Sequence, residues 1–363
     1  MRERVVVVCA GPGDPGEVVR ALAAVFPGEI VALTLDLGDG EAAARRDRAL
    51  GGGACRCHVV DAREALADGV VLPSLRAQAL GPGGAPLTRE LAQVAVARAL
   101  VDVAGLEQAL TVAHDSVGDE AARLDALVQG LAPSLAVLAP LAAAALPDER
   151  ITTALWGRTI TGPAVTGPWS EASGAYGRLV RTAARTPAGG AVVAIRFEAG
   201  APVAVNGVEM PFVELIASLD TIAGGHGVGR GATRAGGGWH LSEAPAAVVL
   251  HQAHAALLAR VTPPDAQALA HGLSVKYADL IARGAWFTPL REALDAEIAA
   301  AQPAVTGTVH VRLAGGESEV VACEAAPALY DEFTRSQIAD CRLQIGSSQI
   351  GEITEIARSI ARS

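Results

Sequence analysis

The stretch that most constrains the fold is the strand, turn and helix of residues 4–26. Val5-Val-Val-Val8 is an uninterrupted apolar run, which is typical of a strand buried on both faces. A turn rich in glycine and proline follows at residues 10–16, and a helix with one apolar face follows from Glu17. In a doubly wound α/β domain, phosphate groups bind where such a strand ends and the helix begins.

Residues 1–148 alternate between strand and helix patterns with short connections, which predicts a doubly wound parallel sheet with right-handed crossovers. Further strands are predicted at 29–36, 57–60, 108–113 and 135–138, and further helices at 41–50, 62–67, 72–80, 91–103 and 120–131. Residues 147–162 are interpreted as a transition between two domains. A chain of 363 residues is long for one core, which also favours two domains.

The second half predicts an α+β domain over residues 149–340. Strands are predicted at 191–197, 202–205, 306–313 and 317–323, and helices at 212–222, 244–259, 265–282 and 289–301. Residues 341–363 form a helical tail in this interpretation, because Ile350, Ile353, Ile356 and Ile360 recur on one helical face. Such a stripe predicts docking on the chain's own core or on a partner subunit.

Charge and composition exclude several classes of function. The net charge is −10 and basic residues form no run, so we expect no nucleic-acid partner. No unbroken apolar stretch is long enough to span a bilayer, so we expect no membrane partner. Five scattered cysteines and no signal-peptide pattern predict a reduced protein in the cytoplasm.

The first turn, Ala10-Gly-Pro-Gly-Asp-Pro-Gly16, has two interpretations. A phosphate-binding loop needs free backbone N–H groups and usually hydroxyl or ammonium side chains. Pro12 and Pro15 have no N–H, and the turn contains no Ser, Thr, Lys or Arg. Glycine amides and a Mg²⁺ held by Asp14 remain one interpretation. The other is a plain connection in which Asp14 caps the helix and Pro15 is its first residue.

Several longer segments, taken in order, resemble the argininosuccinate synthase family over nearly the whole chain. They are Val31-Ala-Leu-Thr-Leu-Asp-Leu-Gly38, Leu155-Trp-Gly-Arg158, Phe197-Glu-Ala-Gly-Ala-Pro-Val-Ala-Val-Asn-Gly207, Gly225-His-Gly-Val-Gly-Arg230, Glu243-Ala-Pro-Ala-Ala247, Lys276-Tyr-Ala-Asp-Leu280 and Trp286-Phe-Thr-Pro-Leu-Arg-Glu-Ala-Leu-Asp295. The resemblance implies an N-type ATP-pyrophosphatase domain (adenine nucleotide alpha hydrolase-like), a synthetase domain and a C-terminal helix that crosses between subunits of a homotetramer. The family joins citrulline and aspartate and uses ATP to activate the ureido oxygen.

The resemblance also implies which residues bind ligands. It places ATP with Mg²⁺ at Gly11, Asp14, Leu35 and Gly118, and a small amino-acid-like substrate at Arg89, Asp119, Glu120, Arg123 and Ser242. No catalytic residue and no resident metal ligand is assigned. His226, in the segment that begins at Gly225, is expected to form hydrogen bonds with backbone groups of a turn. Trp156, Trp286 and Phe287 are expected to anchor the core.

This sequence departs from the family pattern mainly at positions that bind the nucleotide or the substrates in the family. The family's pyrophosphate loop, Ser-Gly-Gly-Leu-Asp-Thr-Ser, retains only Gly11 and Asp14 here, so ATP use is left open. The Tyr and Thr that hold citrulline are replaced by Ala85 and Arg89. The family's Asn-Asp pair becomes Asp119-Glu120, whereas Arg123 is kept. We expect a divergent paralogue with a degenerate loop and without the citrulline-site signature.

Three interpretations of function follow. The first is an enzyme repurposed for another amino-acid-like substrate, with carbon–nitrogen ligation or related chemistry in specialised metabolism. The second is a non-catalytic paralogue that binds a metabolite or a partner subunit, and the third is a genuine argininosuccinate synthase. The arginine at position 89, in place of the family's threonine, indicates either that the site binds a new carboxylate ligand or that the substrate pocket is filled. Arg123 either binds an anionic ligand or pairs with Asp119 or Glu120.

Overall fold

The first half of the protein is a parallel sheet. The computed structural model describes residues 3–10, 13–140, 150–162, 165, 167, 177–182, 185–235 and 238–325. The first five strands are β1 (Arg4–Val8), β2 (Glu29–Asp36), β3 (Arg56–Asp61), β4 (Thr111–His114) and β5 (Ala136–Leu138). They pair in parallel in the order β3-β2-β1-β4-β5, which confirms the doubly wound sheet. Val5 to Val8 are fully buried, as the apolar run predicts.

Helices fill the connections between these strands. They are α1 (Pro15–Ala23), α2 (Ala42–Gly51), α3 (Arg63–Leu66), α4 (Leu72–Arg76), α5 (Thr88–Glu107) and α6 (Asp119–Leu131), with a π turn at Ala67–Val71. Helix α5 begins three residues before the predicted position. The hydroxyl of Thr88, which is buried, donates to the Trp156 carbonyl at 3.1 Å. This start therefore depends on a contact with the second half that the apolar pattern does not record.

The second half contains two antiparallel sheets, which confirms the predicted α+β character. The strands are β6 (Arg150–Ala154), β7 (Gly157–Thr161), β8 (Ala191–Glu198), β9 (Ala201–Val205), β10 (Val208–Glu209), β11 (Arg230–Ala235), β12 (Gly238–Glu243), β13 (Gly307–Ala314) and β14 (Glu317–Ala325). Their orders are β10-β9-β8-β13-β14 and β11-β12-β7-β6. The helices are α7 (Phe212–Gly225), α8 (Pro245–Val261), α9 (Pro264–Ala282) and α10 (Pro289–Ala301).

Two segments for which the sequence predicts no strands form hairpins. The described part of the expected transition at 147–162 forms the hairpin β6–β7, and the glycine-rich stretch at 231–242 forms most of the hairpin β11–β12. Both hairpins are strands of one sheet, because β12 pairs with β7. Each of these strands has only five or six residues, and pairing within one four-stranded sheet stabilises hairpins that are marginal by themselves. This sheet is one wall of the site described below.

Gly157 permits the tight approach between β7 and the segment that follows β12. Its φ is +124°, and a Cβ atom there would lie 2.8 Å from the Glu243 carbonyl oxygen. We expect Gly157→Ala to lower the free energy of unfolding by about 2 kcal/mol, through backbone strain and this contact. Urea unfolding measures the change. Gly105→Ala on α5 is the matched control, because a Cβ there meets open space, and it should be neutral or slightly stabilising.

One continuous core joins the two halves. Its fully buried side chains include Leu33 and Leu100 from the parallel half and Ile195 and Leu250 from the second half. Trp156 and Trp286 are buried in this core and the partly buried Phe287 packs against it, as expected. The domain limits 1–148, 149–340 and 341–363 stay predictions, and the isoleucine stripe of the tail lies outside the described residues. In the described part of the chain, every helix is too short or too polar to cross a membrane.

Candidate functional site

A cleft of about 730 Å³ lies between the two halves. The parallel half contributes residues 81–90, at the start of α5, and residues 117–123, at the start of α6. The second half contributes Arg150 and the β7, β11 and β12 strands. Because α6 follows β4 directly, this wall lies at the carboxyl edge of the parallel sheet. This edge is where doubly wound domains bind ligands.

Five charged side chains form the floor of this cleft, and we call them the arginine–glutamate cluster: Arg89, Glu90, Glu120, Arg123 and Arg150. Glu120 Oε1 accepts hydrogen bonds from Arg89 Nη1 and Arg150 Nη1, each at 2.8 Å. Glu90 lies 3.6 Å from Arg89 and 3.8 Å from Arg123. All five side chains are between 10 and 16 % exposed. Charges this well shielded interact more strongly than surface pairs do.

Arg123 makes contacts other than the pairing considered from the sequence. Its Nη1 donates to Gln93 Oε1 at 2.9 Å and its Nε donates to the Ala282 carbonyl at 2.8 Å. The nearest carboxylate that pairs with it is Glu90, rather than Asp119 or Glu120. Burial lowers the pKa of the Arg123 guanidinium, and the Glu90 charge opposes that shift. Arg123 thus ties α6 to the chain segment that ends α9.

The structure brings most of the expected site residues to one place. Arg89, Gly118, Asp119, Glu120, Arg123 and Ser242 all line the cleft. Gly118 precedes α6 with φ +59° and Asp119 is exposed at its first position, whereas Ser242 is buried on β12. The position of these residues was predictable from the resemblance. Their binding roles stay predictions.

Four further lining residues were not identified from the sequence: Glu90, Arg150, Trp239 and His240. Trp239 and His240 lie on β12, in a segment for which the sequence predicts no strand. Burial lowers the pKa of His240, and the Arg89 charge lowers it further. A polar-apolar alternation over residues 238–243 was the signal that could have placed these side chains on a strand.

Two of the nucleotide residues that the resemblance implies, Asp14 and Leu35, do not line the cleft. Gly11 lies outside the described residues. Asp14 caps α1: its Oδ1 accepts from the Gly16 amide at 2.9 Å and the Glu17 amide at 3.2 Å. Helix α1 begins at Pro15, so Asp14 and Pro15 occupy the cap and the first helical position that the second interpretation gives them. The Ala10 amide is also bonded, to Asp115 Oδ1 at 3.2 Å.

Leu35 is buried in β2, and its carbonyl oxygen already accepts a hydrogen bond. The donor is Arg45 Nη2, at 2.7 Å, and Arg45 also pairs with Asp39 at 2.6 Å. Asp36 and Asp39 accept from backbone amides within the turn after β2, and neither side chain caps α2. Among the described residues, no group of three or more His, Cys, Asp or Glu could hold a metal ion.

A buried ion pair holds the second wall of the cleft. Arg158 on β7 and Glu243 at the end of β12 are register partners, with Arg158 Nη1 at 3.4 Å from Glu243 Oε2. Their side chains are 3 % and 0 % exposed. Glu243 also accepts hydrogen bonds from the Gly177 amide at 2.7 Å and the Leu179 amide at 3.3 Å. The pair therefore fixes the segment at 177–179 to the sheet. The motif residue His226 bonds the Ile222 carbonyl at 2.9 Å, as expected of a turn histidine.

Models of two known domains match the chain in sequence. The arginosuccinate synthase N-terminal HUP domain matches residues 4–154, and the arginosuccinate synthase C-terminal domain matches residues 150–345. The chain belongs to the argininosuccinate synthase family. The parallel sheet of the first half agrees with the HUP domain, and the antiparallel sheets of the second half lie within the C-terminal match.

Proteins named argininosuccinate synthase are similar to this member of the family over most of its length. The protein of Oceanobacillus iheyensis is 33 % identical over 359 residues, which cover 91 % of this chain and 86 % of the relative. That of Rubrobacter xylanophilus is 35 % identical over 333 residues, or 84 % and 81 % of the two chains. That of Dictyoglomus thermophilum is 31 % identical over 359 residues, or 91 % and 90 %.

Proposed function

We propose that the chain is a carbon–nitrogen ligase that joins two amino-acid-like substrates in the cleft between its halves. The observation that carries the proposal is the convergence of Gly118, Arg123 and Ser242 on this cleft, since the resemblance assigns each of them to ligand binding. The names of the relatives favour argininosuccinate formation from citrulline and aspartate over a repurposed reaction. Family membership supports the same class of chemistry.

In the chemistry proposed, an amine nitrogen bonds to an activated ureido carbon, the amine loses a proton, and the ureido oxygen leaves together with the group that activates it. The guanidinium groups of Arg89 and Arg123 suit substrate carboxylates, and the carboxylates of Glu90 and Glu120 suit an ammonium group. The cluster is mostly shielded from water, so these charges orient a substrate more strongly than exposed ones do. Held in this way, the amine and the carbon gain reactivity from proximity alone.

ATP with Mg²⁺ is the activating substrate that the resemblance implies. The described residues of the first turn do not fit a triphosphate, because Asp14 already bonds the Gly16 and Glu17 amides. Asp115 bonds the Ala10 amide, so two carboxylates also place negative charge there. We therefore derive no step through ATP.

A second candidate is a ligase of the same class with a different amino-acid substrate, in specialised metabolism. Its specific support is Arg89, which stands where the family has a threonine and is paired with Glu120. In either form we propose a cytoplasmic homotetramer. The described cysteines are all free, which agrees with a reducing compartment.

The test is product formation from citrulline, aspartate and Mg-ATP, followed by mass spectrometry, with parallel reactions that omit each substrate in turn. Argininosuccinate that requires all three substrates supports the proposal. Product without ATP supports ligation and excludes ATP as the activator. Absence of a ligation product with these substrates and with a panel of other amino acids overturns the proposal and favours the non-catalytic interpretation.

Arg123 provides the matched variant for this assay. We expect Arg123→Met to lower the rate roughly 10- to 100-fold, since a charge-assisted hydrogen bond contributes about 1.5–3 kcal/mol. Glu292→Gln on α10 is the control, because Glu292 is exposed and remote from the cleft lining, and its rate should equal the wild-type rate. An unchanged rate for Arg123→Met would remove Arg123 from the substrate site.

A further inference from the structure

Glu120 joins two arginines that belong to different halves of the protein. Arg89 lies on α5 and Arg150 begins β6, and the Nη1 atom of each donates to the same oxygen, Oε1 of Glu120. The three side chains are only 12–14 % exposed. A single carboxylate oxygen therefore bridges the parallel half and the antiparallel half at the floor of the cleft.

Both arginines keep hydrogen-bond donors that Glu120 does not use. The Nε atoms of Arg89 and Arg150 are buried and have no hydrogen-bond partner among the described residues. A guanidinium group binds a carboxylate best side-on, through two parallel N–H donors. Glu120 contacts Nη1 of each arginine, so the Nε donor of each is unused. Buried donors without acceptors are rare in folded proteins and favour the arrival of an acceptor.

The charges around the bridge nearly balance. The cleft is lined by four arginines (Arg89, Arg123, Arg150 and Arg234) and three carboxylates (Glu90, Asp119 and Glu120). Loss of the Glu120 charge would leave the lining clearly positive, with two arginines facing one point. An arrangement of this kind is a binding place for a carboxylate.

We propose that Arg89 and Arg150 form a carboxylate-binding site in the cleft and that the Glu120 carboxylate occupies it. Glu120 thereby determines whether a substrate carboxylate binds there. This inference deepens the proposed function and rests on it for the class of ligand, an amino acid or a dicarboxylic acid. It also answers the question that Arg89 raised in the sequence. The pocket is filled, and the group that fills it is a carboxylate of the same chain.

The mechanism of selection is competition between like charges. A substrate carboxylate that approaches Arg89 and Arg150 meets the Glu120 carboxylate already bonded to both. Even at the unused Nε donors it lies beside the Glu120 carboxylate, and the repulsion between the two negative charges lowers its affinity. A substrate with a neutral or ammonium group at this point avoids that penalty. Glu120 is thus a specificity-determining residue rather than a catalytic one.

The test uses succinate, which has two carboxylates and no amine and therefore binds without reacting. Isothermal titration compares wild type, Glu120→Gln, the double variant Glu120→Gln/Arg150→Met and the control Glu292→Gln. We expect Glu120→Gln to bind succinate at least 10-fold more tightly than wild type. The double variant should lose this gain, and the control should match wild type.

Equal affinity of wild type and Glu120→Gln for succinate would overturn the inference, as would a gain that persists in the double variant. Glu120→Asp is included because it keeps the charge on a shorter side chain. An intermediate gain in Glu120→Asp supports the inference, and a gain as large as that of Glu120→Gln contradicts it. Succinate binding needs no turnover. If Glu120→Gln binds succinate more tightly but the ligation assay fails, only the proposed function is contradicted.

Discussion

Glu243→Ala is expected to lower the free energy of unfolding by about 3–5 kcal/mol. The Arg158–Glu243 pair is buried on both sides, and removal of Glu243 takes a hydrogen-bonded counter-charge away from Arg158 in the interior. The same change leaves the Gly177 and Leu179 amides without their acceptor. Urea unfolding followed by circular dichroism measures the loss.

Two further variants separate the ion pair from the general effect of a core substitution. Replacement of both partners, as in Arg158→Met/Glu243→Leu, should recover much of the loss, because a buried pair can be exchanged for apolar side chains at little cost. Glu292→Ala, at an exposed position on α10, should change stability by less than about 0.5 kcal/mol. A loss of that small size for Glu243→Ala would show that the pair does not hold this wall.

The stability of the protein is expected to fall as the pH drops from about 6.5 to about 4, because of His254. This side chain lies on α8 and is fully buried between Gln78 and Gln302, with Nδ1 2.8 Å from Gln78 Nε2 and Nε2 3.1 Å from Gln302 Oε1. An amide nitrogen donates and an amide oxygen accepts, so these contacts fit the neutral histidine with its proton on Nε2. Burial lowers the pKa of His254 to about 4.

The direction of this change in stability with pH follows from proton linkage. Between pH 6.5 and 4 the unfolded chain binds a proton at His254 that the folded chain does not, so stability decreases as the pH falls. The loss begins near the unfolded pKa and is complete below the folded one, and it amounts to about 3 kcal/mol for this shift. Its neighbour His251, whose pKa burial lowers to about 3, acts in the same direction.

The measurement is urea unfolding at several pH values for wild type and His254→Gln. The variant should show a clearly shallower loss between pH 6.5 and 4, and His271→Gln, an exposed position on α9, should keep the wild-type profile. Comparison with a variant is needed because Asp220 opposes the trend. Burial raises its pKa to about 7, so its contribution stabilises the fold as the pH falls. Identical profiles for wild type and His254→Gln would contradict the prediction.

The parallel half was predictable because its information is local. Val5 to Val8 form a continuous apolar run and are fully buried, and the predicted strand at 29–36 has the same limits in the structure. Asp14 followed by Pro15 is a helix start in sequence and in structure. The parallel pairing of the strands also followed from the alternation of strands and helices.

The cleft was predictable only in part, and the resemblance supplied what was correct. It identified Arg89, Glu120 and Arg123 as neighbours of a ligand, and all three line the cleft. It did not identify Arg150, because that residue reaches Glu120 only through the folding of β6 against the parallel half. The wall at 231–242 was missed as a strand pair because its glycine-rich sequence forms strands only beside β7.

The sequence by itself determined the parallel sheet, its helices and the family, because strand burial, helix caps and long motifs depend on residues that are adjacent in the chain. The tertiary structure alone decided the partners of the charged side chains. Arg89, Glu120 and Arg150 are 30 or more residues apart in the chain. Nη1 of each arginine nevertheless donates to the same oxygen, Oε1 of Glu120. Electrostatic interactions act between groups that are close in space, so no local pattern records them.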